Sequence, residues 1–116
     1  MKLSDFTKSY VITSTINISD DGKEFIKFRE PNQAELFKFQ GVDEKDTKAS
    51  AEAIKTLFLH CVVDSSFTND DGSKPTNEEL FAALQESGSL YSAVIQGWFE
   101  TIPFQSRLKN NKKYGK

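Results

Sequence analysis

The sequence predicts an α+β domain, a β-hairpin near the N-terminus packed on a bundle of about four helices. Three observations predict it. Residues 10–30 alternate apolar and polar side chains with period two around an Asp-Gly turn. Residues 32–102 carry apolar side chains at helical spacing between cap signals. One stretch, Ile54–Val63, is apolar round most of a helix's circumference. The single globular domain is expected to span residues 1–105, with the hairpin at about 10–30 and the helices at about 32–102, followed by a basic mobile tail at 106–116.

Residues 1–9 are polar apart from Leu3 and Phe6 and read as a short arm. From Tyr10 the pattern changes: Tyr10, Ile12, Ser14, Ile16 and Ile18 alternate with Val11, Thr13, Thr15 and Asn17, a β-branched run with one largely apolar face. Asp21-Gly22 can supply the positive φ of a tight turn, and Glu24–Glu30 alternates again, with Ile26 and Phe28 set to pack beside Ile16 and Ile18. Two strands are marginal alone, so this ribbon must lie on the helices. Pro31 forces Glu30 into an extended conformation and ends the strand. Asn32 and Glu35 form a capping box that opens a helix carrying Leu36, Phe37 and Phe39, closed by Gly41.

Asp46 or Thr47 caps the central helix, which is predicted to run to about Asp64. Ile54, Leu57, Phe58, Cys61 and Val62 share one stripe, and Leu59 and Val63 fall outside it, so burial on more than one side is expected. The same start signal recurs at Pro75, Thr76 and Glu79, opening a helix with Leu80, Phe81 and Leu84 and ending at Gly88 as a left-handed residue. A last helix begins at Ser89 or Leu90. Its apolar residues, Leu90, Tyr91, Val94, Ile95, Trp98, Phe99 and Ile102, cover about half its circumference, more than one neighbour needs. Either this arc spans both the central helix and the hairpin, or part of it faces a partner. Gly97 in mid-helix suggests a close backbone approach. Pro103 ends the helix.

The chemistry legible in the residues is sparse. His60 and Cys61, the one histidine and the one cysteine, are adjacent on a helix and so point about 100° apart. Cys61 reads as a small core residue and His60 as a helix-edge residue, not as a catalytic pair. Asn69-Asp70-Asp71-Gly72 invites a calcium reading, but setting Gly72 at the sixth position of an EF-hand loop places Phe67 where the first carboxylate is required. An ordinary Asp-Gly turn fits better. No phosphate-binding glycine loop, metal-ligand spacing or Ser/His/Asp set is present, and acids sit at helix starts and turns where capping accounts for them. No enzyme, cofactor or metal is expected.

Charge divides the chain. Its 17 acidic residues all precede position 107, whereas the last ten residues hold five bases, Arg107, Lys109, Lys112, Lys113 and Lys116. An acidic body argues against a nucleic-acid surface on the fold. No apolar leader follows Met1 and a single cysteine excludes an internal disulfide, so a cytoplasmic protein off the membrane is expected.

Three stretches together resemble the tail assembly chaperones of long-tailed bacteriophages and prophages. They are Phe28–Leu36, in which an Arg-Glu-Pro run enters a helix; Leu57–Asp64 leading into Ser66–Gly72; and Tyr91–Pro103. The resemblance covers about residues 10–104 and rests on the order and spacing of short motifs. It implies a small, mainly helical protein of the bacterial host cytoplasm that self-associates, coats the tape measure protein and recruits tail tube subunits. It implies absence from the finished particle, and a second, longer product made by ribosomal frameshifting near the end of the gene. Candidate protein-binding residues are then Leu90, Trp98 and Phe99 on the last helix and Arg107, Lys109, Lys112 and Lys113 on the tail. Two alternatives stand beside it: a structural tail or head–tail connector component retained in the particle, and a small nucleic-acid-binding regulator using the basic tail.

Overall fold

The computed structural model describes residues 1–103. The candidate residues Arg107, Lys109, Lys112 and Lys113 and the expected mobile tail lie outside them. Among the described residues the order is α1 (Leu3–Tyr10), β1 (Thr13–Asn17), β2 (Phe25–Arg29), α2 (Gln33–Gln40), α3 (Thr47–Cys61), β3 (Val62–Ser65), α4 (Asn77–Gln85) and α5 (Gly88–Thr101). This is an α+β fold with an N-terminal hairpin, as the periodicity predicts. β1 and β2 pair antiparallel with Ile16 opposite Ile26 and Ser14 opposite Phe28. Gly22 at φ 73° makes the turn, a conformation that costs glycine little.

The sheet has a third strand that the sequence pattern hid. Its order is β1-β2-β3, so β2 is central, and both Ile26 and Phe28 are fully buried. The central helix, expected to run to Asp64, stops at Cys61, and Val62–Ser65 pairs antiparallel with β2. A side chain distant in sequence sets that stop. Asn77 donates its amide N–H groups to the carbonyls of Leu59 (2.9 Å) and Val62 (3.1 Å), satisfying acceptors at the helix end. Val63, expected on a buried helix, is therefore an exposed strand residue.

Three further expectations are corrected. The arm at residues 1–9 is helix α1, with Leu3, Phe6 and Tyr10 at helical spacing and no residue buried. Because Tyr10 closes that helix, β1 starts at Thr13. Gly88 is not a left-handed end but the first residue of α5, capped by the Ser87 hydroxyl, which accepts from Leu90 N–H at 3.3 Å. Both predicted capping boxes, Asn32/Glu35 and Thr76/Glu79, are formed, and Asp46 caps α3.

The core lies where α3, α4 and α5 meet the inner face of the sheet. Trp98 stacks on Phe28 with ring centres 4.3 Å apart, and Phe58 meets both Phe28 and Phe81 edge-on. The wide apolar arc of α5 is covered within the chain: Tyr91 packs on Phe81 of α4, Trp98 on β2 and Phe99 on Phe39 of α2. At Gly97 a methyl group would stand 3.8 Å from Ile16 Cδ1, ordinary contact, so β1 approaches without needing glycine. Gly97→Ala is accordingly expected to stabilise the fold by roughly 0.5–1 kcal/mol, the helix-propensity gain. A chemical denaturation midpoint that falls would show Ile16 unable to accept the methyl.

Candidate functional site

Every residue of the run Arg29-Glu30-Pro31-Asn32 has a structural task at the junction of hairpin and helices. Glu30 Oε2 accepts from Ile12 N–H at 2.7 Å, fixing the chain where it enters β1. Pro31 is buried, and the Asn32 side chain accepts from Glu35 N–H at 2.9 Å to cap α2. Arg29 reaches Glu35 with two parallel bonds of 2.9 and 3.0 Å, the bidentate geometry in which guanidinium and carboxylate match best. Glu35 Oε1 also accepts from Asn32 N–H at 2.8 Å. His60 Nδ1 of α3 lies 3.4 Å from the other oxygen, Oε2. One carboxylate thus ties β2 to the start of α2, with His60 of α3 close beside it. Arg29, with help from the Asn32 N–H, holds its pKa down to about 2 although burial opposes this.

Beside this junction α2 and α3 leave an open groove of about 440 Å³. Ala34 on α2 and Ala49 and Ala53 on α3 line it together with Phe39, Val42 and Leu57. Its space comes from those alanines, since longer side chains at the three positions would close it. Glu35, Lys38, Glu52 and His60 stand among its lining residues, so an apolar floor is edged by charge of both signs. Such a trough can take up apolar side chains from a helix and offers little to a polar metabolite. Among the described residues no buried side-chain nitrogen or oxygen lacks a hydrogen-bond partner.

The remaining sequence candidates are dispersed. Trp98 is 1% exposed in the core, and Leu90 and Phe99 are half-buried against the core cluster. Cys61 is fully buried, and burial pushes its thiol up to about 12, which keeps it from forming the nucleophilic thiolate. His60 is exposed on the groove's edge, facing Glu35 and not a nucleophile. Asp71 accepts from the backbone and hydroxyl of Ser73, closing the turn in which Gly72 has φ 87°. Among the described residues no cluster of His, Cys, Asp or Glu could hold a metal ion.

The groove itself escaped the sequence reading. Alanines at helical spacing on α3 carry a weak apolar signal, and only the placement of α2 beside them makes a trough. The spacing of Leu3, Phe6 and Tyr10 did carry an amphipathic helix signal, and all three residues are exposed. Among the described residues no helix is long and apolar enough to cross a membrane. No protein-family model matches the chain, and the comparisons with curated proteins and with solved structures find no match.

Proposed function

We propose that the protein is a binding protein without catalytic activity, a tail assembly chaperone of long-tailed bacteriophages or prophages. In this reading it coats the tape measure protein, recruits tail tube subunits and associates with itself in the host cytoplasm. The observation that carries the binding reading is the α2–α3 groove, an open apolar trough of about 440 Å³ with Glu35, Lys38, Glu52 and His60 among its lining residues. It suits the apolar stripe of an amphipathic helix with charged residues along the stripe's edges, a common way of holding a helical partner. The assignment to tail assembly comes from the resemblance of Phe28–Leu36, Leu57–Gly72 and Tyr91–Pro103 to that family.

Ala53→Glu tests both parts. Ala53 is part-exposed on α3 and glutamate is a good helix former, so the fold should melt within a few degrees of the parent. Placed in the trough, the carboxylate must be desolvated when an apolar stripe docks, and binding is expected to weaken about tenfold or more. The first measurement is whether a long helical reading frame lies beside the gene; the second is co-purification and titration of its product with parent and variant. Equal binding by parent and variant would remove the groove from the reading. No binding by the parent would remove the chaperone assignment.

A further inference from the structure

The two edges of the sheet are treated differently. On the β3 edge, the outward carbonyl of Val62 accepts from the Asn77 amide at 3.1 Å, and that of Ser65 accepts from the Lys74 ammonium. Asp64, ion-paired to Lys74 at 3.6 Å, and a register shift opposite Lys27/Phe28 blunt that edge further. Charge, side-chain cover and irregularity are the devices by which proteins prevent a strand from adding to an edge.

Among the described residues β1 carries none of them. Glu30 N–H bonds to Ile12 O at 2.8 Å and Ile18 N–H to Glu24 O at 2.7 Å, so the even-numbered residues of the strand point their backbone groups at β2. Thr13, Thr15 and Asn17 therefore point theirs outward. All three are exposed, and among the described residues no bond to their outward N–H groups is found. The strand Thr-Ser-Thr-Ile-Asn has no charge and no proline, and two of its three outward residues are β-branched.

We infer that the β1 edge is a self-association surface, pairing antiparallel with β1 of a second copy about a two-fold axis through Thr15. In that register Thr13 stands opposite Asn17 of the second copy and Thr15 opposite its counterpart, each opposed pair exchanging two backbone hydrogen bonds. The two three-stranded sheets become one continuous sheet, and the interface is isologous and closed. Charge favours a second copy in this orientation. The antiparallel arrangement sets the α1 end of one strand beside the Ser19–Lys23 turn of the other. Lys2–Tyr10 holds two lysines against one aspartate, whereas Ser19–Lys23 holds Asp20 and Asp21 against one lysine. A parallel pairing would set lysines beside lysines. The exposed Leu3, Phe6 and Tyr10 of α1 sit next in sequence to the strand, where they can add apolar contact.

This gives a surface to the self-association in the chaperone reading and takes its biological sense from that reading. It is tested on the purified chain alone, so the two fail separately. The parent protein is expected to sediment as a dimer whose melting temperature rises with concentration, and Thr15→Lys, a charge on the edge, as a monomer with the parent's circular dichroism spectrum and a cooperative melt independent of concentration. Thr15→Cys is expected to cross-link under mild oxidation, because directly opposed residues of this kind lie about 5.5 Å apart, within disulfide reach. Val63→Cys, on the covered edge, is expected not to cross-link. A monomeric parent, a dimeric Thr15→Lys, or cross-linking by Val63→Cys but not Thr15→Cys would each overturn the proposal. A parent monomer that binds an extended peptide at β1 would give the edge to another protein.

Discussion

Truncating Trp98 to alanine is expected to destabilise the fold by about 3–5 kcal/mol, the range for large aromatic residues removed from a core. The indole is 1% exposed, stacks on Phe28 at 4.3 Å and meets Phe58 at 6.4 Å and Phe99 at 5.2 Å. It bridges the central strand and two helices, so no small shift of one element can close the space left behind. Domains of this size hold roughly 5–15 kcal/mol in total, so the variant is left close to its unfolding midpoint. Phe28→Ala should cost a similar amount, for the same contact seen from the other side. His60→Gln is the control: an exposed side chain at the groove's edge should change stability by no more than about 0.5 kcal/mol. Urea denaturation of the three variants checks this. A Trp98→Ala protein with native stability and weakened self-association would return Trp98 to the interface role that its place on the wide α5 arc suggested.

The second large effect is expected at Glu35, and it is pH-dependent. The carboxyl has a folded pKa of about 2 against an ordinary value of 4.5, chiefly because Arg29 donates two hydrogen bonds to it. A depressed carboxylate pKa contributes stability that is complete above the unfolded value and lost as pH falls through the folded one. The window is therefore from about pH 4.5 down to about pH 2. With the side chain only 15% exposed, solvent screening is modest, and the shift corresponds to a contribution on the order of 3 kcal/mol. Glu35→Gln keeps an acceptor for the α2 cap but leaves Arg29 without its counter-charge. We expect a loss of about 2 kcal/mol at neutral pH, shrinking as the parent is acidified through that window. Denaturation of parent and variant at several pH values gives the difference directly. A gap that stays constant down to pH 2 would mean that Arg29 does not hold Glu35 ionised.

Local signals with short reach were legible in the chain. Asn32/Glu35 and Thr76/Glu79 satisfy backbone donors within one turn, and both capping boxes are present as read. Asp-Gly steps at 21–22 and 71–72 form turns with glycine at positive φ, because that choice depends on the backbone alone. Period-two alternation placed β1 and β2, and the isolation of His60 from Cys61 followed from helical spacing.

Tertiary contacts decided the rest. Leu57–Val63 is apolar at every position but His60 and suits a buried helix or a buried strand equally well. Asn77, taking the Leu59 and Val62 carbonyls, and the pairing of Val62–Ser65 with β2 together favour a helix end at Cys61 and a third strand. The width of the α5 arc signalled surplus apolar surface but not its partner, and Phe39, Phe81 and Phe28 from three other elements cover it. The groove arises because Ala34 meets Ala49 and Ala53 across two helices, and the contrast between edges arises because Lys74 and Asn77 bond to outward carbonyls of β3, whereas among the described residues no side chain bonds to the outward backbone groups of β1. Hydrogen bonds within a turn are encoded by neighbours in sequence. Space left between helices and acceptors taken by distant side chains exist only once the chain has packed.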